Sequence, residues 1–154
     1  MNTATLISEQ TLHSDEEFQN KQVIEKMVDA FVRHDLDDMM VLFADQCVYQ
    51  DMSGGGINGK CHYGKEAIRH VFQQQIKLLP KHTFTDPIII VSGNKAHANW
   101  TLILGDEEKP LYKVRGCDYF ELENGLITLK TAWLKNHIRF ITMAAIIQLR
   151  ELIT

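Results

Sequence analysis

Residues 116–127 read GCDYFELENGLI, and their pattern predicts a β-hairpin. Asn124 and Gly125 suit a two-residue turn, because both of its central positions need a positive φ. Apolar and polar side chains alternate on either side of these two residues, which is typical of half-buried strands. We therefore expect strands over residues 111–122 and 126–135.

Helices and further strands precede this hairpin. Alternation predicts strands at 83–91 and 95–104 and a short strand at 47–51. Apolar residues at i, i+3, i+4 and i+7 predict helices at about 15–33 and 64–79, the first with a capping-box spacing from Ser14 to Glu17. Asp35 can cap a short helix between the two. The glycine-rich residues 53–59 predict a flexible loop.

Helices followed by an antiparallel meander predict the α+β fold class. Three N-terminal helices would pack in a curved sheet that closes around them as a cone, with room for a pocket on its concave side. The expected organisation is a flexible tail at 1–13, a cone domain at 14–136 and an apolar, helical C-terminal extension at 137–154.

Composition and charge exclude several classes of function. The chain has 154 residues and a net charge of -4, and no dense run of Lys and Arg, so nucleic acid is not expected as a partner. The three cysteines and seven histidines lack metal-site spacings, and no glycine-rich nucleotide loop is present, so no metal and no cofactor are predicted. The apolar stretch at 138–149 is too short and too polar to span a bilayer, and no secretory signal precedes it. We expect a cytoplasmic protein with no membrane partner.

Asp118 is the main candidate for chemistry. Regular pairing beyond the turn places it opposite Thr131 and places Gly116 opposite Trp133, on an otherwise apolar face shared with Phe120. A buried carboxylate without a partner is costly. It is therefore either a structural residue that is hydrogen-bonded to a neighbouring hydroxyl, such as that of Thr131, or an acid–base group in a pocket. Gly116 favours the pocket, because the missing side chain beside Trp133 leaves room for a ligand ring.

The other face of the hairpin predicts an interface. It carries Arg115, Tyr119, Glu121 and Lys130, a mixed set that suits a homodimer formed through the convex side of the sheet. With Lys130 on that side, Asp118 has no cation close to it.

Other candidates keep two interpretations each. Asp51 ends the first strand before the glycine loop, as a turn-initiating residue or as a second proton-transfer group. His62 and Tyr63 follow it, either solvated or leaning over the pocket. Trp100 lies on the apolar face of its strand, as a core residue or as a ligand wall.

Three segments resemble the SnoaL-like branch of the nuclear transport factor 2-like superfamily, which includes ketosteroid isomerases and polyketide cyclases. They are FADQCVYQD at 43–51, GKEAI at 64–68 and the hairpin, and the resemblance covers about 20–136. It implies that Asp51 has the position of the isomerase general base. Asp118 has that of the acid that binds the substrate oxyanion, or of the acid–base aspartate of the cyclases. The oxyanion tyrosine would fall near Met27 or Ala30, neither of which can donate a proton.

Together these features predict an isomerase- or cyclase-type enzyme that transfers a proton next to a ketone in a small hydrophobic molecule. Asp118 and Asp51 are the predicted catalytic residues. The predicted substrate-binding residues are Trp100, Trp133, Phe120, Gly116, Phe31, Tyr49 and Tyr63. The alternative is a non-catalytic module of the same fold that binds a small molecule or, as a dimer, a protein.

Overall fold

The computed structural model describes residues 3–79, 81–135 and 145, with residues 3–14 described by their backbone alone. Three helices and six strands form this described part, in the order α1 (Thr3–Arg33), α2 (Leu36–Met40), β1 (Phe43–Asp51), β2 (Lys60–Tyr63), α3 (Lys65–Leu78), β3 (His82–Ser92), β4 (Lys95–Gly105), β5 (Pro110–Glu123) and β6 (Leu126–Leu134). Apart from Ala145, the predicted C-terminal extension lies outside the described residues.

The six strands form one curved sheet in the order β2-β1-β6-β5-β4-β3. Neighbouring strands are antiparallel, except that β1 runs parallel to β6. The helices pack against the concave face, where Ile24 and Met27 of α1 and Phe72 of α3 are buried with Phe120 of β5. The predicted α+β cone is confirmed.

Helix α1 begins earlier than the sequence indicates. It starts at Thr3, so it includes most of the residues predicted as a tail. Glu17, expected at a capping box, lies inside the helix, and its Oε1 accepts a hydrogen bond from the backbone N–H of Gly93 at 2.7 Å. Asn20 Nδ2 donates to the carbonyl oxygen of the same glycine at 3.0 Å. These two bonds tie α1 to the turn between β3 and β4.

Strand β2 falls where the sequence predicts only a loop. It pairs antiparallel with β1, and Tyr49 lies opposite His62. Four residues are too few for a hydrophobic period to be recognised in the sequence. The strand turns the side chain of His62 inward and leaves Tyr63 71% exposed.

The β5–β6 hairpin contains the decisive departure from the predicted register. Asn124 and Gly125 form the turn, with φ values of 52° and 73°, and Leu122 pairs with Ile127 as predicted. A β-bulge then shifts the pairing by one residue, so that Glu121 lies opposite Leu129. Because side chains alternate along a strand, this shift exchanges the two faces of the rest of β6.

Because of the bulge, three of the predicted pairs are wrong. Asp118 lies opposite Ala132 and not Thr131, and Gly116 lies opposite Leu134 and not Trp133. Phe120 lies opposite Lys130 and not opposite Leu129, the partner that regular pairing predicts. Lys130 therefore points to the concave side and is only 3% exposed, although the sequence placed it on the convex face.

Candidate functional site

A cavity of about 410 Å³ lies between the helices and the concave face of the sheet. Its wall is almost entirely apolar and aromatic, a composition typical of small-molecule sites. Six of the residues predicted from the sequence line it together, namely Asp118, Asp51, Phe31, Tyr49, Trp100 and Phe120. The structure thus brings both candidate carboxylates to one cavity.

Asp118 is 8% exposed and both of its oxygens accept hydrogen bonds. Oδ1 accepts from Lys130 Nζ at 2.8 Å, and Oδ2 accepts from Trp100 Nε1 at 3.0 Å. Both oxygens of Asp118 therefore act as hydrogen-bond acceptors, with lone pairs left for a further partner. Thr131, the partner expected for a structural Asp118, instead donates to Gln50 Oε1 at 2.8 Å, and its place beside Asp118 is taken by Lys130 and Trp100.

Lys130 is the residue that the sequence reasoning missed. Its ammonium group lies 4.9 Å from the ring centre of Tyr49, 5.4 Å from that of Phe31 and 5.6 Å from that of Phe120. Three aromatic faces favour a cation, and Asp118 supplies its counter-charge. The cavity therefore contains a buried ion pair whose ammonium group is surrounded by three aromatic rings.

Asp51 has the turn-initiating role and also faces His62 in the cavity. Its Oδ1 accepts from the backbone N–H of Ser53 at 2.8 Å, which is the turn-initiating role. Its Oδ2 lies 3.7 Å from His62 Nε2, a nitrogen that is buried and has no hydrogen-bond partner among the described residues. The His62 ring is stacked against Tyr49, with a centroid distance of 5.9 Å.

Tyr49 carries a hydroxyl group that remains protonated. Burial raises its pKa well above the usual range of a tyrosine, and the nearby charge of Asp51 acts in the same direction. The hydroxyl oxygen accepts from Gln75 Nε2 at 3.4 Å. A neutral phenol at the cavity wall is thus a second possible donor to a ligand, beside Lys130.

His82 is a further cavity residue that the sequence did not single out. Its Nδ1 donates to the carbonyl oxygen of Leu79, and its ring lies 4.2 Å from that of His34. Burial lowers the pKa of His82 to about 4, against a bond to Leu79 that raises it. The ring is therefore neutral at physiological pH, and His82 adds no charge to the cavity.

Three predicted binding residues lie away from the cavity wall. Trp133 is on the convex side and 51% exposed, because the bulge reverses its face. Tyr63 points outward from β2. Gly116 lies opposite Trp100, whose ring occupies the space that a Cβ at this position would need. Its missing side chain therefore makes room for Trp100 rather than for a ligand.

Two properties of the described residues bear on the kind of site. In residues 3–79 and 81–135, no three His, Cys, Asp or Glu side chains are grouped as metal ligands would be. None of the helices in that part of the chain combines the length and the apolar character needed to cross a membrane.

Residues 24–130 match the family model of the SnoaL-like domain, so the chain belongs to this family. The match includes α1 from Ile24 onward and both members of the buried ion pair. No protein with a curated description is significantly similar to the chain.

Solved structures share the fold at low sequence identity. A proposed polyketide cyclase from Xanthomonas campestris is 18% identical, with a TM-score of 0.65 over 84% of this chain and 98% of that one. A proposed ketosteroid isomerase from Kribbella flavida is 18% identical, with a TM-score of 0.64 over 79% and 81%. A protein of unknown function with a cystatin-like fold, also from Xanthomonas campestris, is 11% identical, with a TM-score of 0.68 over 80% and 96%.

Proposed function

We propose that this protein is an isomerase- or cyclase-type enzyme that moves a proton next to the carbonyl group of a small, largely apolar ketone. The observation that carries this proposal is the buried Asp118 carboxylate in the wall of a largely apolar cavity of about 410 Å³. The cavity is large enough for a small ligand, and its polar groups are few.

Asp118 is the acid–base group in this proposal. It takes a proton from the carbon next to the carbonyl and returns it at another position. The two N–H donors on its oxygens orient the carboxylate, and the apolar wall excludes water that would compete for the proton. Asp51 is the second proton-transfer group, because it lines the same cavity with one oxygen beside His62.

Exchange of substrate hydrogen for deuterium tests this function without knowledge of the natural substrate. We choose 2-tetralone, a two-ring ketone with acidic hydrogens beside its carbonyl, and follow their loss in D₂O by proton NMR. The wild-type protein should accelerate the exchange, and Asp118→Asn should reduce it to the uncatalysed rate. The matched control is Asp15→Asn, which changes an exposed aspartate of α1 and should exchange as the wild type does.

The second candidate is a binding module without catalysis. Met27 favours this candidate because its side chain cannot donate a proton. Met27 lines the cavity from α1, near the position where the resemblance implies the isomerase tyrosine. If 2-tetralone binds but exchanges only at the uncatalysed rate, the binding module is supported. If neither exchange nor binding is observed with 2-tetralone or other neutral two-ring compounds, the proposed ligand class is wrong.

The convex face of the sheet is proposed as a homodimer interface. Trp133, Ile88 and Ile90 are 51%, 53% and 61% exposed there, and Tyr119 and Arg115 complete a surface rich in the residues that interfaces favour. Trp133 lies on the convex face, where Lys130 was predicted to lie. Sedimentation should show a dimer at micromolar concentration and a monomer for Trp133→Glu. A monomeric wild type would contradict the proposal.

A further inference from the structure

Protonation of Asp118 during the proposed reaction would leave Lys130, its partner in the ion pair, without a counter-ion. When a carboxylate takes a proton it becomes neutral, and a buried ammonium then loses its counter-charge. Lys130 is 3% exposed, so water cannot replace that charge. The rings of Phe31, Tyr49 and Phe120 around it stabilise a cation only in part.

Proton transfer from a ketone supplies the missing charge. The C–H bond beside the carbonyl breaks, its proton goes to a carboxylate oxygen of Asp118, and its electron pair forms the C=C bond of an enolate as the carbonyl electron pair moves onto oxygen. The negative charge therefore passes from Asp118 to the substrate oxygen. No further reactant is needed, and the net charge of the site is unchanged.

We propose that Lys130 is the group that binds the enolate oxygen, so that its counter-ion changes from Asp118 to the substrate during the reaction. This inference rests on the proposed function, and it names a donor at a site where α1 offers no tyrosine. The Nζ atom is 2.8 Å from the carboxylate, so an oxygen bonded to Nζ brings its neighbouring carbon toward Asp118. The substrate class that fits is a neutral, apolar ketone.

The same geometry explains why the ketone should be neutral. While Asp118 is ionised, the pair presents a cation and an anion side by side, and an anionic ligand would be repelled by the carboxylate. The site should bind an anionic ligand tightly only when Asp118 carries no charge. Asp118→Asn mimics that state, because it keeps the shape and removes the charge.

Anion binding is therefore the decisive measurement. The probes are 2-naphthoate, an anion, and 2-naphthalenemethanol, its neutral analogue, titrated by calorimetry at pH 7. Asp118→Asn should bind 2-naphthoate about tenfold or more tightly than the wild type does, because one charge-assisted hydrogen bond is gained. The double variant Asp118→Asn, Lys130→Met should lose this gain. The alcohol should bind all three proteins within about threefold.

A second measurement separates the role of Lys130 from that of Tyr49. Lys130→Met should slow the exchange of 2-tetralone by about 100-fold while its binding changes little, the effect expected for loss of an oxyanion donor. Lys130→Arg, which keeps the cation, should retain part of the rate. The matched control is Lys113→Met, which changes an exposed lysine of β5 and should exchange as the wild type does.

Each outcome supports or contradicts the proposal that Lys130 binds the enolate oxygen. If Asp118→Asn is unfolded alone, folding on addition of 2-naphthoate but not of the alcohol supports the proposal, and no response to either probe overturns it. Equal binding of 2-naphthoate by wild type and Asp118→Asn also overturns it, as does a large loss of exchange in Tyr49→Phe without one in Lys130→Met. If the wild type binds the alcohol and exchanges 2-tetralone, the proposed function survives all of these results.

Discussion

Replacement of Lys130 by methionine should destabilise the protein more than a surface substitution can. Methionine keeps most of the apolar stem of the lysine, so the packing against Phe31, Tyr49 and Phe120 changes little. The carboxylate of Asp118 loses its bond to Nζ but stays buried, with Trp100 Nε1 as its remaining donor.

The expected size follows from that orphaned charge. Removal of one partner of a buried ion pair costs about 3–5 kcal/mol, and the retained bond from Trp100 places the expected loss near the lower limit. The free energy of unfolding should fall by about 3 kcal/mol, and the thermal midpoint by roughly 10 °C. Because Asp118→Asn removes the orphaned charge, the double variant should recover part of this loss.

Urea unfolding followed by circular dichroism at pH 7 measures these differences. Lys113→Met is the control, and as an exposed substitution it should stay within about 0.5 kcal/mol of the wild type. A Lys130→Met variant as stable as the wild type, or a double variant less stable than Lys130→Met, would contradict a costly orphaned charge on Asp118. Either result would mean that water reaches the ion pair.

Three further predictions follow from other contacts. Gly116→Ala should cost about 1–3 kcal/mol in urea unfolding and alter the near-ultraviolet signal of Trp100, because the added methyl group meets its ring, whereas Gly55→Ala, in open space, should be neutral. The His82 pKa is lowered from 6.5 to about 4, so the folded protein binds fewer protons than the unfolded chain in that window. Its stability should therefore fall by about 3 kcal/mol as the pH drops from about 6.5 to 4, and unfolding curves of His82→Asn should lack this part of the slope. Burial raises the pKa of Tyr49, so alkaline difference spectra of wild type and Tyr49→Phe should coincide until the protein unfolds; an earlier difference would contradict the buried position.

The sequence was sufficient where short-range rules act. Asn124 and Gly125 require positive φ values and set the turn, and the change of period from helices to strands gave the fold class. The burial of Asp118 followed from the apolar residues beside it on β5, which the bulge does not affect. Phe31, Tyr49, Trp100 and Phe120 likewise face the cavity.

The inward position of Lys130 could not be predicted, because it depends on a β-bulge that the alternation of side chains does not reveal. Residues 126–131 of β6 alternate in a way that is compatible with regular pairing, and nothing in their types marks the bulge. One signal was present in the chemistry rather than in the pattern. A buried carboxylate needs a counter-charge, and Lys130 is the lysine that the hairpin brings nearest to Asp118.

The bulge makes the charge of the cavity depend on how one extra residue of β6 is accommodated. Deleting Thr128 would remove the bulge and leave Lys130 opposite Phe120. Regular pairing with Thr128 retained would instead carry the lysine to the outside and bring Trp133 inside, with no change in the type of any side chain. An ion-paired cavity and an uncharged aromatic one thus differ by one step in the register of β6. Comparisons among members of this family should therefore establish the register of β6 before they compare residue types there.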